Sequence, residues 1–218
     1  MTDAATRLAE VRDQIARAAR AAQRNAGDVT LVAVSKRHNV AAIEDLIARG
    51  VTDFGENRVA EAAEKWPALR QAHPGIRLHM IGQLQSNKAA EAVELFDVIH
   101  SLDRASLLEA LVAAGAKAGR YPIVYVQVNI GGEGQKGGVA IGGLGDLLDA
   151  VRASQLPLAG LMAMPPKDLE PGPFFALLAD LSRRHGVKGL SMGMSGDYPV
   201  AVMLGATAVR VGSALFGD

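Results

Sequence analysis

The feature that most constrains this chain is a repeating alternation of two kinds of segment. From residue 30 onward, short apolar runs take turns with stripes at helical spacing, and the runs begin at 30, 52, 78, 97, 123, 157, 189 and 207. The pattern predicts strands over 30–34, 52–54, 78–81, 97–100, 123–128, 157–162, 189–192 and 207–211, bounded by turn residues and recurring about every 25 positions. Between them, Ile43, Leu46 and Ile47 form one stripe, and Leu107, Leu108, Leu111 and Val112 another. Leu144, Leu147, Leu148 and Val151 form a third, and Phe174, Leu177, Leu178 and Leu181 a fourth. Each follows the spacing of a helix resting on a core. Gly50, Gly115, Gly186 and Gly205 stand where such helices are expected to stop, because glycine accepts the left-handed backbone of a helix end.

Eight strand–helix units favour closure into a (β/α)8 TIM barrel over an open doubly wound sheet, which commonly has five or six strands. With no linker or low-complexity tract, residues 1–218 are expected to form one domain. Such barrels usually take about 250 residues, so this one is compact, with its eighth helix almost absent. An extra amphipathic helix over 4–24, marked by Leu8, Val11, Ile15, Ala18 and Ala22, is expected to cover that stretch of wall.

Composition then removes whole classes of function. The 23 Lys+Arg balance 23 Asp+Glu, for a formal net charge of zero, which argues against nucleic acid or an anionic membrane as partner. No run approaches the roughly 18 apolar residues of a membrane span. The arginine-rich start (Arg7, Arg12, Arg17, Arg20, Arg24) is interrupted by Asp3, Glu10 and Asp13 and lacks a cleavage site, so it is not read as a targeting peptide. The absence of cysteine excludes disulfides, thiolate metal sites and a cysteine nucleophile, and fits a cytoplasmic protein. The five histidines show no metal-ligand spacing. The glycine-rich stretch 131–138 lacks the Gly-Lys-Ser/Thr ending of a phosphate-binding Walker loop and is read as a flexible connection.

Active sites of barrels gather where the strands end. Lys36 directly follows the first strand. A solvated loop lysine is the plain reading; the functional one is an amine partly desolvated in the barrel mouth, available for Schiff-base formation. At the other end of the chain, Ser191-Met-Gly-Met-Ser195-Gly-Asp197 follows the seventh strand and Arg210-Val-Gly212-Ser213 ends the eighth. Barrels commonly bind phosphate with these two loops, although two tight turns of small residues are the simpler explanation. A phosphate cradle facing a lysine suggests pyridoxal 5′-phosphate (PLP), which needs both grips.

These strings resemble the pyridoxal phosphate homeostasis protein family, a branch related to the barrel domain of alanine racemase. The similarity lies in LVAVSK (31–36), FGENRV (54–59), HMIGQLQSNK (79–88), HSLDR (100–104), GLMAMPP (160–166), LSMGMSGDY (190–198) and VRVGSALFG (209–217). It covers the chain almost end to end. The resemblance implies that Lys36 holds PLP as a Schiff base, that Ser191, Ser195, Gly212 and Ser213 bind its phosphate, that Arg210 faces the pyridine nitrogen and that Asn57 lies near the ring. Ser213 stands where the family more often has threonine, Gly196-Asp197 replaces a commoner Asp-Asp, and Gln83 replaces His or Pro; none of these removes a cofactor contact.

The function so implied is non-enzymatic: reversible storage of PLP for intracellular vitamin B6 homeostasis, with PLP-dependent apo-enzymes as expected recipients. An arginine at the pyridine nitrogen cannot protonate it, which leaves a weaker electron sink. Asp218 is the last residue given, leaving no room for the second domain from which alanine racemases draw a tyrosine base. The competing reading is a small racemase using Lys36 as base, with Tyr198 or His100 opposite. A third is a sugar-phosphate enzyme with an aldolase-type lysine. Among other residues, Glu56 is expected to cap the following helix, Ser86 to cap another, Trp66 to pack in the wall, and the evenly charged surface to leave a monomer.

Overall fold

The computed structural model describes residues 3–217. Its strands are β1 (Thr30–Val34), β2 (Asp53–Glu56), β3 (Arg77–Met80), β4 (Val98–Leu102), β5 (Ile123–Gln127), β6 (Leu158–Met162), β7 (Gly189–Ser191) and β8 (Ala208–Val211). Each pairs in parallel with the next, and β8 pairs with β1, so the sheet closes in the order of the chain. The barrel and its eight strands agree with the pattern read from the sequence. Bounds move by a residue or two, and one shift matters: β2 runs on to Glu56, which places that carboxylate in the barrel wall.

Around the sheet lie α1 (Ala4–Ala21), α2 (Val40–Ala48), α3 (Val59–Ala72), α4 (Ala89–Leu95), α5 (Ala105–Ala118), α6 (Leu144–Arg152), α7 (Pro171–Arg184), α8 (Tyr198–Met203) and α9 (Ser213–Phe216). The core between strands and helices includes Trp66, Phe54, Phe96 and Phe175, all fully buried. Burying such rings contributes about 25 cal/mol per Å² of apolar surface. In α7 the core-facing side is Phe175, Leu178 and Leu181, while Phe174 and Leu177 are only partly covered.

Gly50, Gly186 and Gly205 do hold positive φ after their helices. Gly115 does not stop a helix: α5 runs through it to a left-handed Gly119. Gly115 is there for space, since a Cβ would lie 2.5 Å from the Tyr121 ring. The leading helix ends at Ala21, earlier than expected. It fills the wall beside the last elements: Arg7 Nε donates to the Leu215 carbonyl at 2.7 Å and Tyr198 Oη to Gln14 Oε1 at 2.7 Å. No helix among the described residues is long and apolar enough to cross a membrane.

Candidate functional site

A cavity of 1090 Å³ opens at the C-terminal ends of the strands. Lys36, Asn57, Ser195, Arg210, Gly212 and Ser213 line it together. Sheet closure accounts for the meeting of residues so far apart in sequence. In the β1–β8 ladder Val32 lies opposite Arg210 and Ala33 opposite Val211. Gly212 then comes beside Val34, where a Cβ on it would sit 3.4 Å from that of Val34. Lys36, two residues on, leaves the same rim.

Both neighbours of Lys36 are anchored to β2 and α3. The Ser35 hydroxyl donates to Glu56 Oε1 at 2.8 Å, and the Ser35 carbonyl accepts from Lys65 Nζ at 3.1 Å. Arg37 takes a left-handed backbone (φ 64°), and its amide donates to Glu61 Oε1 at 2.6 Å. Lys65 ties these carboxylates together, 2.8 Å from Glu56 and 2.9 Å from Glu61. The Lys36 side chain itself is exposed, more open to water than the expected shielded amine. Glu56 is fully buried and also accepts from Trp66 Nε1 at 3.1 Å. It therefore caps no helix; α3 starts after Arg58 without a side-chain cap. A buried carboxylate needs a cation and donors; Oε1 finds them here, while Oε2 is buried without a hydrogen-bond partner. Trp66 packs in the wall as expected, with its indole N–H satisfied by this carboxylate.

Asn57 is positioned by contact with the next loop. A Cβ on Gly82 would lie 2.2 Å from the Asn57 carbonyl oxygen, so only glycine lets the two backbones pass. In the seventh loop, Gly193 adopts φ 94° and accepts from the Arg210 amide at 2.9 Å. The Ser195 hydroxyl accepts from the amides of Gly212 at 3.1 Å and Ala214 at 3.4 Å. Its oxygen thus takes the place an anion oxygen takes at such amides, and its own hydrogen remains to donate. Arg210 reaches the cavity although only 4% exposed. Burial pushes its guanidinium down to about 10, which keeps it cationic near neutrality.

Ser191 departs from the expected set. It is fully buried and does not line the cavity. Its hydroxyl accepts from Arg210 Nη1 and meets His100 Nδ1 at 2.7 Å. As the last residue of β7 it points into the barrel, beneath the arginine. Ser86 likewise caps nothing: it opens a 3-10 turn, and its hydroxyl accepts from Arg104 Nη2 at 3.2 Å.

The sequence reading missed part of the wall. The glycine-rich stretch 131–138 is not a loose connection but borders the cavity through Gln135, Lys136 and Gly137. It is pinned by Gln127 Nε2 donating to the Gly137 carbonyl at 3.0 Å and by the Gly138 amide donating to Asp103 Oδ2 at 3.2 Å. Gln83 and Gln127 also line the cavity. Gln83 stood out in the sequence only as a departure from the family pattern, and Gln127 only by its position at the end of a strand. Neither second-base candidate faces it: the Tyr198 hydroxyl turns outward to α1, and His100 lies in the barrel interior with both ring nitrogens engaged. Among the described residues no cluster of three or more His, Cys, Asp or Glu could hold a metal.

The donor set fits an aldehyde-bearing phosphate ester: an amine two residues past β1, a buried cationic donor on β8, and hydroxyl and amide donors on the adjoining rim. Comparison with known proteins agrees. The family model described as alanine racemase, N-terminal domain, matches residues 8–218. A pyridoxal phosphate homeostasis protein of Pseudomonas aeruginosa is 41% identical over 100% of this chain and 96% of its own length. One of Deinococcus radiodurans is 42% identical over 96% and 97%. Among solved structures, PipY of Synechococcus elongatus with PLP bound superposes with a TM-score of 0.88 at 38% identity, covering 99% of this chain and 100% of that one. An alanine racemase of Clostridium difficile shares the fold alone, with a TM-score of 0.68 at 15% identity over 93% of this chain and 54% of that one. By model, sequence and architecture, the chain belongs to the pyridoxal phosphate homeostasis protein family, on the alanine racemase N-terminal barrel.

Proposed function

We propose that this protein binds PLP reversibly in the 1090 Å³ cavity and serves intracellular PLP homeostasis without turnover of its own. The observation that supports this reading is the shared rim of β1 and β8, which brings Lys36, Ser195, Gly212 and Ser213 into the lining of one cavity. The bound group supplies an aldehyde that condenses with the Lys36 amine and releases water. Ser195 and Ser213 hydroxyls and the rim amides hold its phosphate, with Ser191 acting only through Arg210. Arg210 donates to the pyridine nitrogen and, holding its own protons, leaves that nitrogen unprotonated. Asn57 borders the ring. An incoming amine, free or on a PLP-dependent apo-enzyme, can displace Lys36 through the open mouth. We place the protein in the cytoplasm as a monomer.

The test is the visible spectrum of the purified protein titrated with PLP, beside Lys36→Ala. The expected result is a yellow protein whose borohydride-reduced adduct maps to Lys36, and a variant that stays colourless. A wild-type protein with no visible band, or a variant as yellow as wild type, overturns the assignment. Sustained exchange of an amino acid's Cα proton for deuterium, lost in Lys36→Ala, would overturn the absence of turnover.

A further inference from the structure

Ser191 is one link of a longer buried line through the barrel interior. Arg210 Nη1 donates to Ser191 Oγ. Ser191 Oγ lies 2.7 Å from His100 Nδ1, His100 Nε2 lies 2.8 Å from His79 Nδ1, and His79 Nε2 lies 2.9 Å from Asp53 Oδ1. Ser191 and His100 are fully buried, and Asp53, His79 and Arg210 are each 4% exposed. The far end opens on a second cavity of 480 Å³ at the opposite barrel face, lined by Thr52, Asp53 and Arg77 among others.

The chemistry of the two ends fixes the direction of every bond between them. Arginine only donates, and an ionised carboxylate only accepts. Arg77, 2.8 Å from Asp53 Oδ1, and the Thr52 hydroxyl, 2.8 Å from Oδ2, keep that carboxylate ionised. With both imidazoles neutral, one assignment satisfies all members. Ser191 donates to His100 Nδ1, His100 donates from Nε2, and His79 donates from Nε2 to Asp53. Each donor then points from the guanidinium toward the carboxylate. Adding one proton to the histidine pair, whether at His100 Nδ1 or at His79 Nδ1 with His100 turned to its Nδ1–H form, makes Ser191 Oγ accept from His100 and Arg210 at once, leaving its own hydrogen without a place on the line.

We infer that His79, His100, Ser191 and Asp53 are positioning residues for Arg210: a one-way hydrogen-bond relay that anchors one edge of its guanidinium and turns its remaining N–H groups toward the ring of the bound ligand. The second anchor is the Ala163 carbonyl, which accepts from Nη2 at 3.1 Å. Bonds in such a line polarise one another, so a break at the floor is felt at the arginine. The role rests on the PLP reading above, whereas the relay itself does not.

The experiment has two arms. In the ligand-free protein, ¹⁵N NMR of the histidine rings reads the tautomers directly. Both His79 and His100 are expected as the Nε2–H form at about pH 8, and His100 is expected to keep that form down to about pH 6. The groups facing His100 are His79, Arg210 and Tyr125, whose ring stacks on it at 4.6 Å, with Asp53 and Arg77 beyond His79. His100 found as the Nδ1–H form, or titrating in that interval, overturns the relay. In the second arm, His79→Gln and Ser191→Ala are titrated with PLP, with circular dichroism to confirm folding. The expected result is an absorption maximum moved from the wild-type position and PLP affinity lowered by about 10-fold, roughly one charge-assisted hydrogen bond. Folded variants with the wild-type maximum and affinity reduce the line to a packing role. If wild type itself binds no PLP while the tautomers are as expected, the functional reading fails and the relay stands.

Discussion

The ammonium of Lys65 lies 3.1 Å from the carbonyl oxygen of Ser35, the residue before Lys36. One cation on α3 thus holds the backbone that presents the reactive amine, and the same cation is the partner of buried Glu56. In Lys65→Met, Glu56 becomes a buried charge without a counter-ion, a defect of about 3 kcal/mol or more. Urea unfolding is expected to show that loss. Glu56→Gln combined with Lys65→Met should recover part of it, as coupled sites do. PLP affinity should fall in the single variant even where it stays folded.

Ser195→Ala tests the phosphate seat. Removal of the hydroxyl takes from the amides of Gly212 and Ala214 their acceptor and from an incoming phosphate one donor. Affinity for PLP is expected to fall by about 10-fold, roughly 1.4 kcal/mol. Pyridoxal, which lacks the phosphate, should bind the variant and the wild type alike. Equilibrium titration of both ligands checks the contrast.

Gly82→Ala sets a methyl group 2.2 Å from the Asn57 carbonyl oxygen, a clash between backbones that no side-chain rotation relieves. A cost of about 2 kcal/mol is expected, or a drop in Tm of roughly 4–8 °C for a chain of this size. Calorimetry measures the shift, and PLP titration shows whether Asn57 moved.

Acid sensitivity follows from the relay. Burial above all holds His100 well below the usual histidine range, and the Arg210 guanidinium, like any positive charge on His79, acts in the same direction. A base so depressed is neutral in the fold and charges in the unfolded chain. Its contribution is therefore present above about pH 6.5 and lost as pH falls through and below that value. Although burial opposes it, hydrogen bonds from His79, Thr52 and Arg77 hold Asp53 below its ordinary value, so its contribution disappears at lower pH, with the same sign. Stability should rise with pH from about 5 to 6.5 at up to about 1.4 kcal/mol per unit through His100, and Asp53 adds a rise of the same sign only below about pH 4. His100→Asn should flatten that rise. Denaturant unfolding at a series of pH values measures both slopes.

How much of this was legible in the sequence depends on the distance over which each signal acts. The strands were legible because period and turn residues are local; Lys36, Ser195, Arg210, Gly212 and Ser213 were singled out because barrel chemistry sits at strand ends, Asn57 through the family resemblance, and all six line one cavity. Glu56 was misread because its partners, Ser35, Lys65 and Trp66, come from three elements, and a strand one residue longer turns a loop carboxylate into a wall carboxylate. Ser191 was misread for a related reason: the motif places it beside Ser195, whereas the pleat points it inward to His100. His79 and His100 lie 21 residues apart, and His100 and Ser191 lie 91 apart. No spacing rule joins residues that meet only inside a closed sheet.

The closure of β8 onto β1 has a consequence for the order in which the chain becomes competent. A growing polypeptide displays the amine of Lys36 early, but the Ser213 hydroxyl and the Gly212 and Ala214 amides that complete its pocket arrive only with and after the last strand, which begins at residue 208, and are backed by α1 from the opposite end. Capture of ligand therefore has to wait for the ring to shut.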